Sequence, residues 1–101
     1  MLLGERSDVG KFEVILSSNA EKFYKKASDD LANRLGLCFE DLESNPFQGP
    51  QIKVLKIQKS VRWYRYRVGD YRVVYEIDRE MKKVGVILIL HRSSVYRSMQ
   101  K

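Results

Sequence analysis

Two strands at about residues 61–68 and 71–78 form a predicted β-hairpin with arginines at alternate positions. The pair Gly69-Asp70 separates them, in an order that favours a type II′ turn. Because successive side chains of a strand point to opposite faces, Arg65 and Arg67 are expected side by side, about 7 Å apart. Two permanent positive charges at this spacing repel each other unless the face is solvated or an anion lies between them. The hairpin is therefore a predicted anion site.

The same alternation sorts the hairpin side chains into an apolar face and a cationic face. The apolar face is expected to hold Tyr64, Tyr66, Val68, Tyr71, Val73, Tyr75 and Ile77. The opposite face is expected to hold Trp63, Arg65, Arg67, Arg72, Val74, Glu76 and Asp78. Helices should cover the apolar face, which leaves the arginines on a concave, open one. Three residues at or beyond the end of the last strand are expected to close the same basin: His91, Arg92 and Tyr96.

The N-terminal half has the pattern of a strand followed by two helices. Residues 11–16 form the predicted strand, and Ser18 with Glu21 has the form of a capping box for the first helix. The buried face of that helix is expected to carry Ala20, Phe23, Tyr24 and Ala27. Ser28 is the predicted cap of the second helix. This helix should end before Pro46, because proline restricts the residue that precedes it.

After a loop at residues 45–51, the chain returns to extended patterns. A short apolar stretch covers residues 52–57, and residues 84–90 are apolar on both faces, as in a central strand covered on both sides. The predicted fold class is α+β, with an N-terminal strand and an αα-hairpin packed on an antiparallel four-stranded sheet in the order β-α-α-β-β-β. We expect one domain over residues 1–101, with residues 1–10 as a flexible extension.

Composition and charge narrow the class of protein. The single cysteine, Cys38, excludes an intrachain disulfide and a cysteine-based zinc site, which suits a reducing cytoplasm. The N-terminus has no apolar run of signal-peptide length, and no segment reaches the length of a membrane span. Residues 51–101 hold 13 Lys/Arg and 4 Asp/Glu, a net charge of +9, whereas the whole chain carries +6. A half this basic predicts a polyanionic partner, either nucleic acid or an acidic protein.

The residue types in the predicted basin suit the cleavage of RNA without a metal. Arginine neutralises charge that builds up on a phosphate. Histidine and tyrosine transfer protons, and both stack on bases. We expect nucleic-acid contacts along the basic strand, at Lys59, Arg62, Trp63, Arg65 and Arg67.

The hairpin string from Trp63 to Asp78, followed by an apolar strand and His-Arg-Ser-Ser-Val-Tyr, resembles the RelE/ParE toxin superfamily of type II toxin–antitoxin modules. The resemblance covers about residues 11–98. In the RelE branch it implies a toxin that enters the ribosomal A site and cuts mRNA by attack of the 2′-hydroxyl on the adjacent phosphate, with no metal or other cofactor. The positions that match the family's catalytic set are Arg65, Arg67, Arg72, Arg92 and Tyr96.

The pair Arg65 and Arg67 departs from the RelE enzymes, which resemble this chain but have lysines at these two positions. A guanidinium stays protonated in proteins, so Arg65 and Arg67 fit a phosphate clamp and not a general base. His91 titrates in the useful range and is the first candidate for the base. Glu76 and Tyr96 are the others.

The resemblance leaves three functions open. The first is an endoribonuclease that acts on translating ribosomes, with mRNA and rRNA as partners. The second is a non-nuclease toxin like the ParE branch, which inhibits DNA gyrase. The third is a decayed toxin that only binds its antitoxin. All three imply a cognate antitoxin protein and no membrane partner.

Overall fold

The computed structural model describes residues 11–58 and 61–94, with the backbone alone at residues 56–58 and 61. Seven elements follow one another along the chain. They are β1 (Glu13–Leu16), α1 (Ser18–Lys26), α2 (Asp29–Ser44), β2 (Ile52–Gln58), β3 (Val61–Val68), β4 (Tyr71–Asp78) and β5 (Lys83–His91). The bounds of β3 and β4 coincide with the predicted hairpin strands.

The sheet has five strands in the order β1-β5-β4-β3-β2, and its orientation is mixed. The predicted four-stranded antiparallel sheet is wrong in two respects. The apolar stretch after the loop is a full strand, β2, which pairs antiparallel with β3. The N-terminal strand β1 pairs parallel with β5, from Glu13 opposite Lys83 to Leu16 opposite Val86. A parallel pair has to be joined by a long crossover, so its partner lies far away in the sequence.

The two helices pack on one face of the sheet, α1 against β5 and α2 across β1 and β3. Apolar side chains of both layers form a single buried cluster. The helices contribute Ala20, Leu35, Cys38 and Leu42, and the sheet contributes Tyr64, Val68, Val73, Tyr75, Val84, Val86 and Ile89. The predicted αα-hairpin and its apolar faces are therefore confirmed. Neither of the described helices has the length and hydropathy needed to cross a lipid bilayer.

The caps of the helices agree with the prediction at α2 and differ by one residue at α1. The Ser28 hydroxyl accepts a hydrogen bond from the Leu31 amide at 3.2 Å, as expected. At α1 the cap is Ser17, not Ser18, and its hydroxyl accepts from the Ala20 amide at 3.1 Å. The same hydroxyl donates to the carbonyl of Ile87 at 2.7 Å. Ser17 therefore joins the start of α1 to β5, a tertiary contact that local pattern does not show.

A β-bulge in β5 changes which residues face each other across the sheet. Tyr75 lies opposite Val86, but its neighbour Val74 lies opposite Leu88, so Ile87 is an extra residue on β5. Beyond the bulge, each residue of β5 faces the side opposite to the one that strict alternation predicts. This shift decides the orientation of the end of β5.

Candidate functional site

A groove of about 550 Å³ opens at the Gly69-Asp70 end of the β3–β4 hairpin, which we call the hairpin groove. It lies beside the start of β2 and the end of β3, and α2 forms its other wall. The residues that line it are Arg34, Leu37, Cys38, Gln51, Tyr66, Arg67, Val68, Gly69, Asp70, Arg72 and Arg92. Four of these are arginines, and Asp70 is the only carboxylate among the described residues of the lining. The groove is therefore strongly cationic.

Arg67 and Arg72 lie directly opposite each other on β3 and β4. Gln51 holds Arg67 in place, because its side-chain oxygen accepts from Arg67 Nε at 3.0 Å. Arg72 Nη1 donates to the carbonyls of Gly69 and Tyr71, both at 2.9 Å. These acceptors are neutral, so they orient the two guanidinium groups without cancelling their charge. Two oriented, uncompensated cations on one face favour the binding of an anion.

Arg34 reaches the groove from α2, although the sequence did not predict it as a site residue. Its guanidinium lies directly over Gly69, where a Cβ atom would overlap it. The φ angle of Gly69 is +58°, in the region that favours glycine, whereas the φ angle of Asp70 is not positive. This combination is expected for a type II′ turn. Asp30 pairs with Arg34 at 3.6 Å, but both side chains are largely exposed, so the pair is weak. The available signal was that Arg34 is the only basic residue in an otherwise acidic helix.

The helix side of the groove is less polar. Tyr66 lies on it, and its hydroxyl donates to Asp41 Oδ2 at 2.6 Å, which fixes the ring. Burial, reinforced by this bond to Asp41, raises the pKa of Tyr66 above its ordinary value. Cys38 is buried at the base of the groove, and burial likewise raises the pKa of its thiol. Both groups therefore stay neutral at physiological pH, and the charge of the groove comes from its arginines.

The geometry is that of an anion-binding groove, and comparison with known proteins identifies the family. The model of the family described as the ParE toxin of type II toxin–antitoxin systems matches residues 14–96. The chain belongs to this family. It is thus a member of the RelE/ParE toxin superfamily, as the hairpin motif predicted.

Relatives of the toxin come from both archaea and bacteria. Toxin RelE3 of Methanocaldococcus jannaschii is 27% identical over 85 residues, which is 83% of this chain and 94% of that protein. The RelE of the archaeal RelE–RelB complex from Pyrococcus horikoshii has a similar fold, with a TM-score of 0.72, 21% identity and coverage of 81% of this chain and 96% of that one. The toxin–antitoxin complex RelBE2 of Mycobacterium tuberculosis gives a TM-score of 0.64, 24% identity and coverage of 81% and 99%.

The toxin's groove contains three of the five arginine and tyrosine positions that resemble the family's catalytic set: Arg67, Arg72 and Arg92. Arg65 is half-buried beside the groove but does not line it, and its Nη1 donates to the carbonyl of Gln51 at 2.9 Å. Tyr96 lies outside the described residues, and so does Lys59. Further along β3, Arg62 is exposed and Trp63 is half-buried.

The structure does not bring His91 into the groove. Its ring packs edge-on against Tyr71 at 5.6 Å, and Tyr71 packs in turn against Phe23 of α1. The bulge at Ile87 places His91 opposite Tyr71, on the face that the helices cover, and Leu90 opposite Arg72. Without the extra residue, His91 would share the face of Arg72. The predicted basin therefore loses one member through a one-residue change of register.

Glu76, which the sequence suggested as another candidate for the general base, also lies away from the groove. It is exposed and pairs with Gly85, nearer the opposite end of β4. Across the described ranges, no three His, Cys, Asp or Glu side chains come together in a way that could hold a metal ion. The arginines of the groove offer guanidinium groups that can bind a phosphate-like anion, and Asp70 is also among the residues that line it.

Proposed function

We propose that this toxin is an endoribonuclease that cleaves mRNA on the ribosome and thereby inhibits translation. The observation that carries the proposal is the convergence of Arg67, Arg72 and Arg92 on one groove from three different parts of the fold. The side-chain hydrogen-bond acceptors of Arg67 and Arg72 are neutral, so the charge of these two residues is available to a phosphate. The family and the RelE-like fold of the solved relatives support the same function.

In this reaction the 2′-hydroxyl oxygen of one nucleotide attacks the adjacent phosphorus. The bond from phosphorus to the 5′-oxygen of the next nucleotide breaks, which leaves a 2′,3′-cyclic phosphate and a 5′-hydroxyl end. Negative charge accumulates on the phosphate oxygens in the transition state, and we assign its stabilisation to Arg67, Arg72 and Arg92. Removing one such donor typically lowers the rate about 100- to 1000-fold.

The attacking hydroxyl must lose a proton, and we propose the Asp70 carboxylate as the acceptor because Asp70 is the acidic residue among those described that line the groove. Tyr96 is the proposed donor to the leaving 5′-oxygen. His91 was the first choice from the sequence, and its position on the helix-covered face argues against it. Asp70→Asn and His91→Ala, compared in the same cleavage assay, separate the two assignments: we expect a large loss with the first variant and little change with the second.

The proposed contact surface for mRNA and rRNA also includes basic and aromatic residues of β3 and of the segment before it. These residues are Lys59, Arg62, Trp63 and Arg65. A cognate antitoxin is the proposed protein partner, since the similar toxins from Pyrococcus and Mycobacterium were solved in complexes with antitoxins. The net charge of +9 in residues 51–101 supports an acidic or amphipathic antitoxin segment. The cytoplasm is the proposed location of this activity, because translation takes place there.

Inhibition of DNA gyrase is the second candidate, because the matching family model is that of ParE toxins. Primer extension on a model mRNA, with and without ribosomes, decides between the two. We expect cleavage within codons in the ribosomal A site for the wild-type toxin and its loss in Arg72→Gln. Intact mRNA together with arrested gyrase would instead establish the gyrase function.

A further inference from the structure

An exposed leucine faces the hairpin groove from α2. Leu37 is 65% exposed, although its helix neighbours Leu35 and Cys38 are both buried. It lines the groove together with Tyr66. A large apolar side chain at the wall of a groove can contact an apolar group of a bound ligand.

Tyr66 gives the same wall a fixed aromatic surface. The hydrogen bond from its hydroxyl to Asp41 holds the far end of the ring, so the ring cannot turn away freely. Its side chain is half-buried, which leaves part of it accessible from the groove. A ring in this position stacks on a nucleobase of any identity, because every base has a flat π-face.

The apolar residue of α2 has an arginine on the same side of its helix. Arg34 precedes Leu37 by three residues, so the two side chains lie on the same side of α2, about 5–6 Å apart at their Cβ atoms. On β3 the side chains of Tyr66 and Arg67 leave opposite faces of the strand, although both residues line the groove. The α2 side of the wall therefore combines an apolar side chain with a guanidinium group, as the base and the phosphate of one nucleotide require.

We propose that the α2 wall of the hairpin groove is a nucleotide subsite, in which Leu37 and Tyr66 hold a base and Arg34 holds the phosphate attached to it. The proposal rests on the proposed function, since it takes RNA as the substrate, and it adds a contact outside the predicted catalytic set. The volume of about 550 Å³ lies within the range of small-ligand pockets, about 300–1,000 Å³. An RNA is favoured over an acidic peptide because the wall pairs a flat ring with an excess of guanidinium groups.

The test uses the purified full-length toxin and two short probes in NMR titrations. One probe is an RNA trinucleotide with 2′-O-methyl groups, which cannot be cleaved by 2′-hydroxyl attack. The other is an abasic trinucleotide with the same phosphates. We expect the wild-type toxin to bind the first about tenfold more tightly than the second, the size of one stacking contact.

Variants of the wall separate the base contact from the phosphate contact. Leu37→Ser is expected to remove the preference for the probe with bases, and Leu37→Phe to keep it. Arg34→Gln should weaken the binding of both probes by a similar factor. Met81→Ser is the matched control, because Met81 is also an exposed apolar residue, 61% accessible, but lies in the β4–β5 turn. It should change neither probe.

Two results would overturn the subsite. One is an unchanged preference for bases in Leu37→Ser. The other is a Leu37→Ser defect confined to an acidic amphipathic peptide of Glu and Leu, which would assign the wall to a protein segment. Ribosome-dependent cleavage, measured on the same proteins, keeps the two proposals apart. Cleavage without a base preference in binding would contradict the subsite but not the proposed nuclease function. A base preference without cleavage would contradict the nuclease function but not the subsite.

Discussion

Arg67 of β3 and Arg72 of β4 are direct cross-strand partners at the closed end of the hairpin. Side chains in such a pair lie about 4.5–5.5 Å apart at Cβ, and like charges placed there are destabilising. The pair is therefore better suited to holding an anion than to stabilising the hairpin. Its cost to the folded state is a specific reason to expect a phosphate between the two residues.

The first prediction follows from this pair. Arg67→Gln and Arg72→Gln should each lower mRNA cleavage about 100-fold or more, because each removes one stabilising charge from the transition state. Thermal unfolding of both variants should be unchanged or slightly improved, since the like-charge contact is relieved. Arg79→Gln, in the β4–β5 turn, is the control and should cleave normally. Full activity in Arg72→Gln would exclude the groove as the site of cleavage.

The second prediction concerns the turn. Gly69→Ala should destabilise the protein by about 1–2 kcal/mol, because an L side chain is strained at φ +58°. It should also displace the Arg34 guanidinium, which occupies the place of the new methyl group. Gly85→Ala is the matched control, since its Cβ would be in ordinary contact with Glu76 at 3.7 Å. Urea unfolding measures both variants, and equal stabilities would contradict the strain argument.

The third prediction compares two helix caps. Ser17→Ala should cost about 1–3 kcal/mol, because the hydroxyl both caps α1 and donates to the carbonyl of Ile87. Ser28→Ala removes an exposed cap only and should cost about 0.5–1 kcal/mol. Chemical denaturation of the two variants gives the difference directly. A Ser28 variant that is the less stable of the two would show that the bond to β5 contributes little.

The fourth prediction is a loss of stability in alkali. Burial raises the pKa of Cys38 above its ordinary value of 9.0 and that of Tyr75 above 10.0, so both keep their protons in the folded state. Above these ordinary values the unfolded chain releases the protons and the folded chain does not, so the free energy of unfolding falls as pH rises. The slope should reach about 1.4 kcal/mol per pH unit for each group.

Urea unfolding at a series of pH values from about 8 to about 11 measures this decline. In Cys38→Ala the part that begins near pH 9 should disappear, and the part due to Tyr66 and Tyr75 should remain. A profile that stays flat through pH 10 would mean that the thiol ionises as readily in the folded chain as in the unfolded one.

The helices and the hairpin could be predicted because their signals are local. Ser28 and Pro46 mark the two ends of α2, and Gly69-Asp70 marks the hairpin turn, all within a few residues of the structure that they determine. The position of β1 is different. Its partner, β5, begins 70 positions later, as Glu13 opposite Lys83 shows, and no local pattern specifies that pairing.

The groove was predicted only in part, for the same physical reason. The arginines of the hairpin follow from alternation, and Arg92 follows from its place after the last strand. His91 was expected in the basin because it lies at the end of the last strand, whereas the extra residue Ile87 places it on the face that the helices cover. Arg34 was missed because it reaches the groove through the packing of α2 over the turn, which depends on the tertiary structure.

The parallel β1–β5 pair has a consequence for when the toxin becomes harmful. Pairing two strands that lie so far apart in the sequence closes a long loop, which costs conformational entropy. Because only the contacts of the completed pair offset this cost, we expect the pair to form late in folding. Arg92 follows β5 directly, so the fourth guanidinium arrives together with the strand that completes the sheet. A nascent chain that has not yet emerged as far as residue 92 thus carries an incomplete toxin, and ribosome-bound chains truncated before β5 should leave mRNA uncut. Under the proposed function, the strand order would delay the activity of the toxin until its chain is nearly complete.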